Sequence, residues 1–352
     1  MDTAAAWRGG QNQVLLTALG QSAMGHEVTV ACRSGGRLEA RARASGVRVA
    51  ALPFRGDLWP PAVLGLAREL RRARPDVVQL HDPHAVGSGL LAARIAGGPA
   101  LVATRRVDFR LRGPLSRRKY RGCARVVAVS RAIADVLEAQ GIDAARLRLV
   151  YEGVPDRSPL PGGVEALRAL GVPEGAPAVG NVAALTGHKD HANLIAAAAV
   201  VVRARADAHF VIVGDGPLRA ELEARVRESG LAGRVVFAGF RDDVDRLLPA
   251  FDVFCLSSHL EGLGTSLLDA MAFGRAVVAT AAGGVPEAVE DGVTGRVVPV
   301  RDPSRLAQAL LALLGDPARR REMGEAGRRR FLARFTADRM VAETLRVYEE
   351  LL

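Results

Sequence analysis

Short β-branched and apolar runs alternate with longer amphipathic stretches along almost the whole chain. In the first half the runs fall at Val28-Thr29-Val30, Val47-Arg48-Val49 and residues 76–80, 101–104 and 125–129. In the second half they fall at residues 178–182, 210–213, 235–237, 253–256, 276–279 and 296–298. Strands that alternate with helices imply a parallel sheet covered on both faces. The pattern therefore predicts an α/β protein made of two doubly wound halves. Between them, residues 153–163 (Gly-Val-Pro-Asp-Arg-Ser-Pro-Leu-Pro-Gly-Gly) are dense in proline and glycine and read as the linker. The expected domains are residues 1–155 and 156–335, followed by an amphipathic closing helix over 336–352 with Met340, Val341, Leu345, Val347 and Tyr348 on its apolar face.

The start of the chain departs from this pattern. Gly9-Gly10-Gln11 opens onto a helix with apolar Val14, Leu15, Leu16, Ala18 and Leu19, the usual place for a first phosphate or sugar loop, yet no strand precedes it. In a doubly wound sheet the first strand is central. Met1-Asp2-Thr3 reads as the tail of such a strand, and the expectation is that the first strand is absent because the chain begins late.

One stretch organises the second half. The apolar run 253–256 leads into Ser257-Ser258-His259-Leu260-Glu261-Gly262-Leu263-Gly264, and a helical pattern follows from Thr265 to Gly274. A glycine loop before a helix start presents unpaired N–H groups that suit a phosphate or a sugar oxygen. Two acids, Glu261 and Asp269, flank that loop. A plain βα turn remains the other reading of this stretch taken alone.

Composition narrows the partners. A chain of 352 residues is better divided between two cores than packed around one. It is 49% hydrophobic but only 4% aromatic, which argues against recognition of nucleic acid by base stacking. A net charge of +10 suits anionic partners, among them nucleotides, phosphorylated lipids and acidic membranes. Of 48 basic residues only Lys119 and Lys189 are lysines. The three cysteines, Cys32, Cys123 and Cys255, lie far apart beside apolar runs and fit buried thiols better than a disulfide framework. No metal-ligand spacing is present. The longest apolar run, residues 194–202, falls well short of the ~18 residues a membrane span needs, and the first ten residues carry no secretory pattern. A cytoplasmic protein, or one peripheral on the inner face of the membrane, is expected.

Taken together, Trp7-Arg8-Gly9-Gly10-Gln11, Gly25-His26-Glu27-Val28, His81, Val129-Ser130, Lys189, Gly214-Asp215-Gly216-Pro217-Leu218-Arg219, the Glu261 stretch, Gly283-Gly284-Val285-Pro286-Glu287 and Asp291-Gly292-Val293-Thr294-Gly295 resemble the family 4 retaining glycosyltransferases of GT-B fold. The likeness spans nearly the whole chain and is tightest in the second half, where Glu261 and Asp269 match the family's acid-x7-acid signature.

The resemblance implies two Rossmann-like domains facing across a cleft, with the last helix crossing back to the first domain. It implies a nucleotide diphosphate sugar donor of UDP or GDP type, no cofactor and no metal. Glu261 would lie by the donor sugar and Asp269, one methylene shorter than the usual Glu, would hold the ribose. Gly262, Leu263, Gly264, Thr265, Ser266 and Leu267 would face the diphosphate, joined by Gly214, Asp215 and the first-half Gly9 and Gly10. Lys189 would cover the leaving diphosphate. Ala183 and Ala184 stand near the place of the family's partner arginine, with His188, Arg219 and Arg241 as substitutes. His81, at the end of a strand, would contact the donor sugar.

The acceptor side is looser. His84, Arg105 and Arg106 are its candidates, and nine basic residues crowd positions 105–125 among apolar ones, suiting either an anionic membrane or an acceptor phosphate. Asp243-Val244-Asp245 imitates a metal motif but reads as a helix cap. Arginine triplets at 319–321 and 328–330 read as solvated helix faces. The expected reaction is sugar transfer to a hydroxyl of a glycan or lipid-linked acceptor, in surface polysaccharide or lipopolysaccharide assembly. A UDP-sugar epimerase on the same scaffold and an inactive sugar-nucleotide-binding protein remain alternatives.

Overall fold

The computed structural model describes residues 1–56, 58–111 and 113–352, so Arg112 of the basic stretch lies outside the described residues. The chain divides into two units, Met1–Gly153 with Thr336–Leu352, and Val154–Phe335.

The first unit runs α1 (Gly9–Ala23), β1 (Thr29–Arg33), α2 (Arg37–Ala44), β2 (Arg48–Leu52), α3 (Pro60–Ala73), β3 (Val77–Leu80), α4 (Pro83–Ala96), β4 (Ala100–Arg105), α5 (Gly113–Arg121), β5 (Arg125–Ala128), α6 (Arg131–Ala139) and β6 (Leu147–Leu149). β3, β4, β5 and β6 form a parallel sheet in that order, and β1 and β2 form a separate parallel pair. Met1-Asp2-Thr3 lies between the two sheets. The Met1 amino group donates to Gln79 O (2.7 Å), His81 N–H donates to Met1 O (2.9 Å), and Asp2 bridges Cys32 in parallel. These bonds tie the three residues to the edges of both β1 and β3. Next to them a cavity of about 540 Å³ is lined by residues 28–31 of the β1 edge, 77–79 of the β3 edge, and Val14, Leu66 and Tyr348.

The second unit runs α7 (Gly163–Ala169), β7 (Ala178–Val182), α8 (His191–Ala204), β8 (His209–Val213), α9 (Arg219–Glu228), β9 (Val235–Gly239), α10 (Val244–Leu247), β10 (Val253–Leu256), α11 (Thr265–Ala272), β11 (Ala276–Thr280), α12 (Val285–Ala288), β12 (Arg296–Val298), α13 (Pro303–Gly315) and α14 (Pro317–Arg334). Its six strands are parallel in the order β12-β11-β10-β7-β8-β9. Strand order reverses between β7 and β10, which makes their carboxyl ends the switch point where open sheets hold ligands. Within the sheet the packing is close: a Cβ on Gly180, midway along β7, would lie 1.9 Å from the Phe251 ring just before β10.

The stretch expected as a linker is fastened to the second unit. Leu160 N–H donates to Asp245 O (3.1 Å), and Arg157 pairs with Asp245 and Asp269. α15 (Ala337–Glu349) packs in the first unit, its Met340, Val341 and Leu345 against Val102, Val127 and Val150. No helix among the described residues is long and apolar enough to cross a membrane. The cysteines are free and buried, and burial pushes Cys123 and Cys255 up to about 12.

Candidate active site

The loops after β7 and β10 meet at the switch point of the second unit. Lys189 Nζ donates to Glu261 Oε1 (2.9 Å) and Oε2 (2.6 Å), and the two side chains are only 19% and 10% exposed. Two further bonds bind the loops: Ser257 Oγ donates to Lys189 O (3.0 Å) and His259 N–H to His188 O (3.0 Å). Asp190, beside Lys189, adopts φ +49, a left-handed conformation that Asp tolerates, and its carboxylate accepts from Asn193 N–H at the start of α8.

Gly264 caps α11 with φ +93 and ψ 73, and a Cβ there would come within 3.0 Å of Leu256 Cδ2. The N–H groups of Thr265 and Ser266 have no acceptor among the described residues. The Leu267 N–H, expected at the diphosphate, is instead donated to Gly264 O (3.0 Å) because it lies one residue too far into the helix. Leu263 and Leu267 are fully buried, so their side chains belong to the core, and Gly262 O accepts from Gly284 N–H (3.2 Å).

Gly214-Asp215-Gly216 passes against the β7 loop. Gly214 has φ +137 and its Cβ would sit 2.0 Å from Ala183 O, while Leu185 N–H donates to Asp215 O (3.1 Å). Alanine at 183 and the glycine at 214 thus share a close backbone contact. The expected replacements for the partner arginine are engaged elsewhere: Arg219 with Glu223 (2.8 Å) and Arg241 with Asp243 (2.7 Å), while His188 Nδ1 lies 3.3 Å from Thr186 Oγ1.

Asp269 does not stand alone. Arg157 Nη2 donates to it and Nη1 to Asp245 Oδ2 (3.0 Å), so one guanidinium serves two acids. Burial raises the Asp269 carboxyl to about 6, with Arg157 opposing and Asp245 reinforcing the shift. Sequence reasoning missed Arg157, and it read Asp243 and Asp245 as caps. Neither caps α10 through its side chain: both carboxylates are taken by arginines, which offer charge-assisted bonds that a lone N–H cannot match.

In the first unit the candidates cluster at the carboxyl ends of β3 and β4. Arg106 Nη1 lies 2.9 Å from His81 Nδ1, and its Nε donates to Glu152 (2.9 Å). A guanidinium only donates, so Nδ1 is the acceptor and the proton sits on Nε2. Burial, then the Arg106 charge, hold the His81 pKa well below its ordinary value, and the ring is neutral. Gly10 lies beside Arg106, its Cβ position 3.8 Å from Arg106 Cδ, and Gly9 opens α1. Arg105, expected on the acceptor side, is 6% exposed and donates to Phe109 O (2.6 Å) and Tyr120 Oη (3.3 Å). It is a core residue, because β4 is buried on both faces from Leu101 to Arg105. His84 is exposed, and the cap of α4 is Asp82, which accepts from His84 N–H (2.8 Å) and Ala85 N–H (2.9 Å).

Residues 165–330 match the family model "Glycosyl transferases group 1", and residues 7–157 match "Glycosyltransferase Family 4". The chain is 32% identical over 296 residues to the 2-deoxystreptamine glucosyltransferase of Streptomyces kanamyceticus, covering 77% of this chain and 76% of that protein. It is 29% identical over 368 residues to the phosphatidyl-myo-inositol mannosyltransferase of Mycolicibacterium smegmatis, covering 97% and 90%. The crystal structure of Anabaena HepE in complex with UDP-glucose superposes with a TM-score of 0.86 at 22% identity, covering 98% and 99%. With the fold that of the GT-B glycosyltransferases and the identity held over three quarters of a curated relative, the chain belongs to glycosyltransferase family 4 and is a glycosyltransferase.

Proposed function

We propose that this glycosyltransferase moves a hexose-type sugar from a nucleotide diphosphate sugar, of UDP or GDP type, to an acceptor hydroxyl with retention and without a metal. The Lys189–Glu261 pair at the β7/β10 switch point carries this reading. When a diphosphate arrives, Lys189 exchanges one carboxylate partner for phosphate oxygens, and the Thr265 and Ser266 N–H groups add hydrogen bonds to the same charge. A fixed ammonium and oriented amides stabilise a departing diphosphate without reorganising during the step. Glu261, released from the ammonium, faces the sugar, where a carboxylate stabilises positive charge growing at the anomeric carbon. Asp269, oriented by Arg157, accepts ribose hydroxyl donors. His81 serves as a neutral Nε2–H donor held by Arg106. Crystals of Anabaena HepE with UDP and with UDP-glucose support a UDP-sugar donor.

For the acceptor we favour a glycan or lipid-linked hydroxyl in surface polysaccharide or lipopolysaccharide assembly, with contact to an anionic membrane. A Rhizobium meliloti lipopolysaccharide core glycosyltransferase, 31% identical over 48% of this chain, supports it. A small aminocyclitol acceptor is the second reading, favoured by two Streptomyces relatives named for 2-deoxystreptamine. The test incubates UDP-glucose, UDP-N-acetylglucosamine and GDP-mannose with and without each acceptor. Acceptor-dependent α-linked product supports transfer. Donor epimerised without acceptor, or nucleotide bound with no turnover on any acceptor, overturns it.

A further inference from the structure

Of the arginine triplets of α14, Arg321 and Arg329 are exposed as the sequence suggests, whereas Arg320 and Arg328 are half-buried and hydrogen-bonded. Arg320 Nη1 donates to the carbonyls of Leu313 (2.8 Å) and Leu314 (2.9 Å) and its Nη2 to Asp252 (3.1 Å). Arg328 donates to Ala272 O and to Asp156. Arg275 donates to the carbonyls of Phe273 (3.3 Å) and Pro249 (3.2 Å). These three guanidinium groups hold the carbonyl ends of α13 and α11, and with the exposed Arg321 and Arg329 they line a cavity of about 610 Å³ in the second unit.

Three features make this cavity more than a basic surface. Its walls are fixed, because α14 lies directly on the turn before β11: a Cβ on Gly324 would sit 2.1 Å from Gly274 O. Donors remain unspent, since Arg275 Nη2, Arg320 Nε and Arg328 Nε have no acceptor among the described residues, nor do the side chains of Arg321 and Arg329. Positive charge is in excess. Its five arginines meet three acids: Asp252, which already accepts from Arg320 and from Ala178 N–H (2.9 Å), Asp156, which pairs with Arg328, and Glu325. Burial lowers the pKa of Arg275, with Asp252 opposing that shift and the Arg320 charge adding a smaller push in the same direction as burial.

The cavity is also separate from the Lys189 site. Asp252 and Arg275 precede β10 and β11, whereas Lys189, Glu261 and Gly264 follow the carboxyl ends of β7 and β10, at the opposite edge of the same sheet. We propose that this cavity is a second anion site, taking the phosphate of a phosphomonoester or polyphosphate, with guanidinium forks supplying paired N–H donors to its oxygens. The chemistry is the same whether the phosphate is free or on a lipid headgroup.

Inorganic tripolyphosphate is titrated calorimetrically into the Lys189→Ala protein, which weakens competing binding at the donor site, with and without Arg321→Glu/Arg329→Glu. Both substituted residues are exposed and hold nothing together. The double change is expected to weaken tripolyphosphate about tenfold or more. An equal charge reversal at Arg68 and Arg110 in the first unit leaves the affinity within about twofold. Sedimentation with phosphatidylcholine vesicles containing phosphatidic acid tests the lipid source. Loss of vesicle binding in the double variant assigns the site to a headgroup; tripolyphosphate binding alone assigns it to a soluble phosphate. Equal affinity of both proteins for both probes, no binding of either, or the same loss from the Arg68/Arg110 reversal overturns the proposal.

Discussion

Lys189 Nζ lies within 2.9 Å of both carboxylate oxygens of Glu261, a residue 72 positions further along the chain. The two loops are joined at that point in the folded second unit, and each side chain holds the other in place. Glu261→Gln keeps the shape but removes the charge, and it leaves the ammonium with less competition. The expected result is a fall in kcat of about 10²-fold with the dissociation constant for UDP held within about threefold. Steady-state kinetics beside a UDP titration checks it, and unchanged kcat removes Glu261 from the reaction.

Asp269 gives the site a pH dependence. Its carboxyl sits near 6 in the fold, above the ordinary 3.8, so the folded state binds this proton more tightly than the unfolded chain. Its contribution to stability is therefore largest below about pH 4 and is lost as the pH rises through 6. Ribose binding has the opposite sign, because only the ionised carboxylate accepts two hydroxyl donors. UDP affinity should rise with a midpoint near pH 6, and Asp269→Asn should flatten the profile. Arg157 opposes the upward shift, so Arg157→Ala should move the midpoint higher. A flat wild-type profile from about pH 5 to 7.5 would contradict the assignment.

His81 should stay neutral through the pH range in which an ordinary imidazole takes up its proton, since burial and Arg106 both hold it neutral. Nitrogen-15 NMR of the imidazole reads this directly, with the proton on Nε2 and Nδ1 as acceptor. Arg106→Ala removes the donor to Nδ1 and should raise the His81 pKa while lowering kcat. A wild-type ring that titrates near its ordinary value of 6.5 would show that the network is not formed.

Gly153 is where backbone packing leaves no room for a side chain. A Cβ there would lie 2.2 Å from Thr336 O, and Gly153 O accepts from Gln13 Nε2 (2.9 Å). Gly153→Ala should destabilise the protein by about 1–3 kcal/mol, read as a lower Tm, through forced backbone shift rather than any change in charge. An unchanged Tm would mean that the backbone yields at little cost.

The strands of the second unit were legible as short apolar or β-branched runs, the central ones buried almost throughout; Ala178–Val182, Val253–Leu256 and Arg296–Val298 have the bounds the pattern gives. β6 (Leu147–Leu149) was not, since it follows directly on the 3-10 turn Ala144–Arg146 with no loop residue to set it apart. Lys189 stood out as one of two lysines, and Glu261 by its place between a strand and glycines. Arg157 could not, because nothing local separates it from the many other arginines, and its meaning comes only from the fold bringing Asp245 and Asp269 to it. The same mixture misled at Arg105: a strand-end arginine suggests a ligand, while β4, buried on both faces, holds it against Tyr120.

The central claim is that the diphosphate of a nucleotide sugar binds at Lys189. Isothermal titration of UDP into the wild-type and Lys189→Ala proteins tests it most directly. The predicted result is saturable binding by the wild type, weakened about tenfold or more by the substitution, with the fold intact by circular dichroism. Equal UDP affinity in both proteins would contradict it.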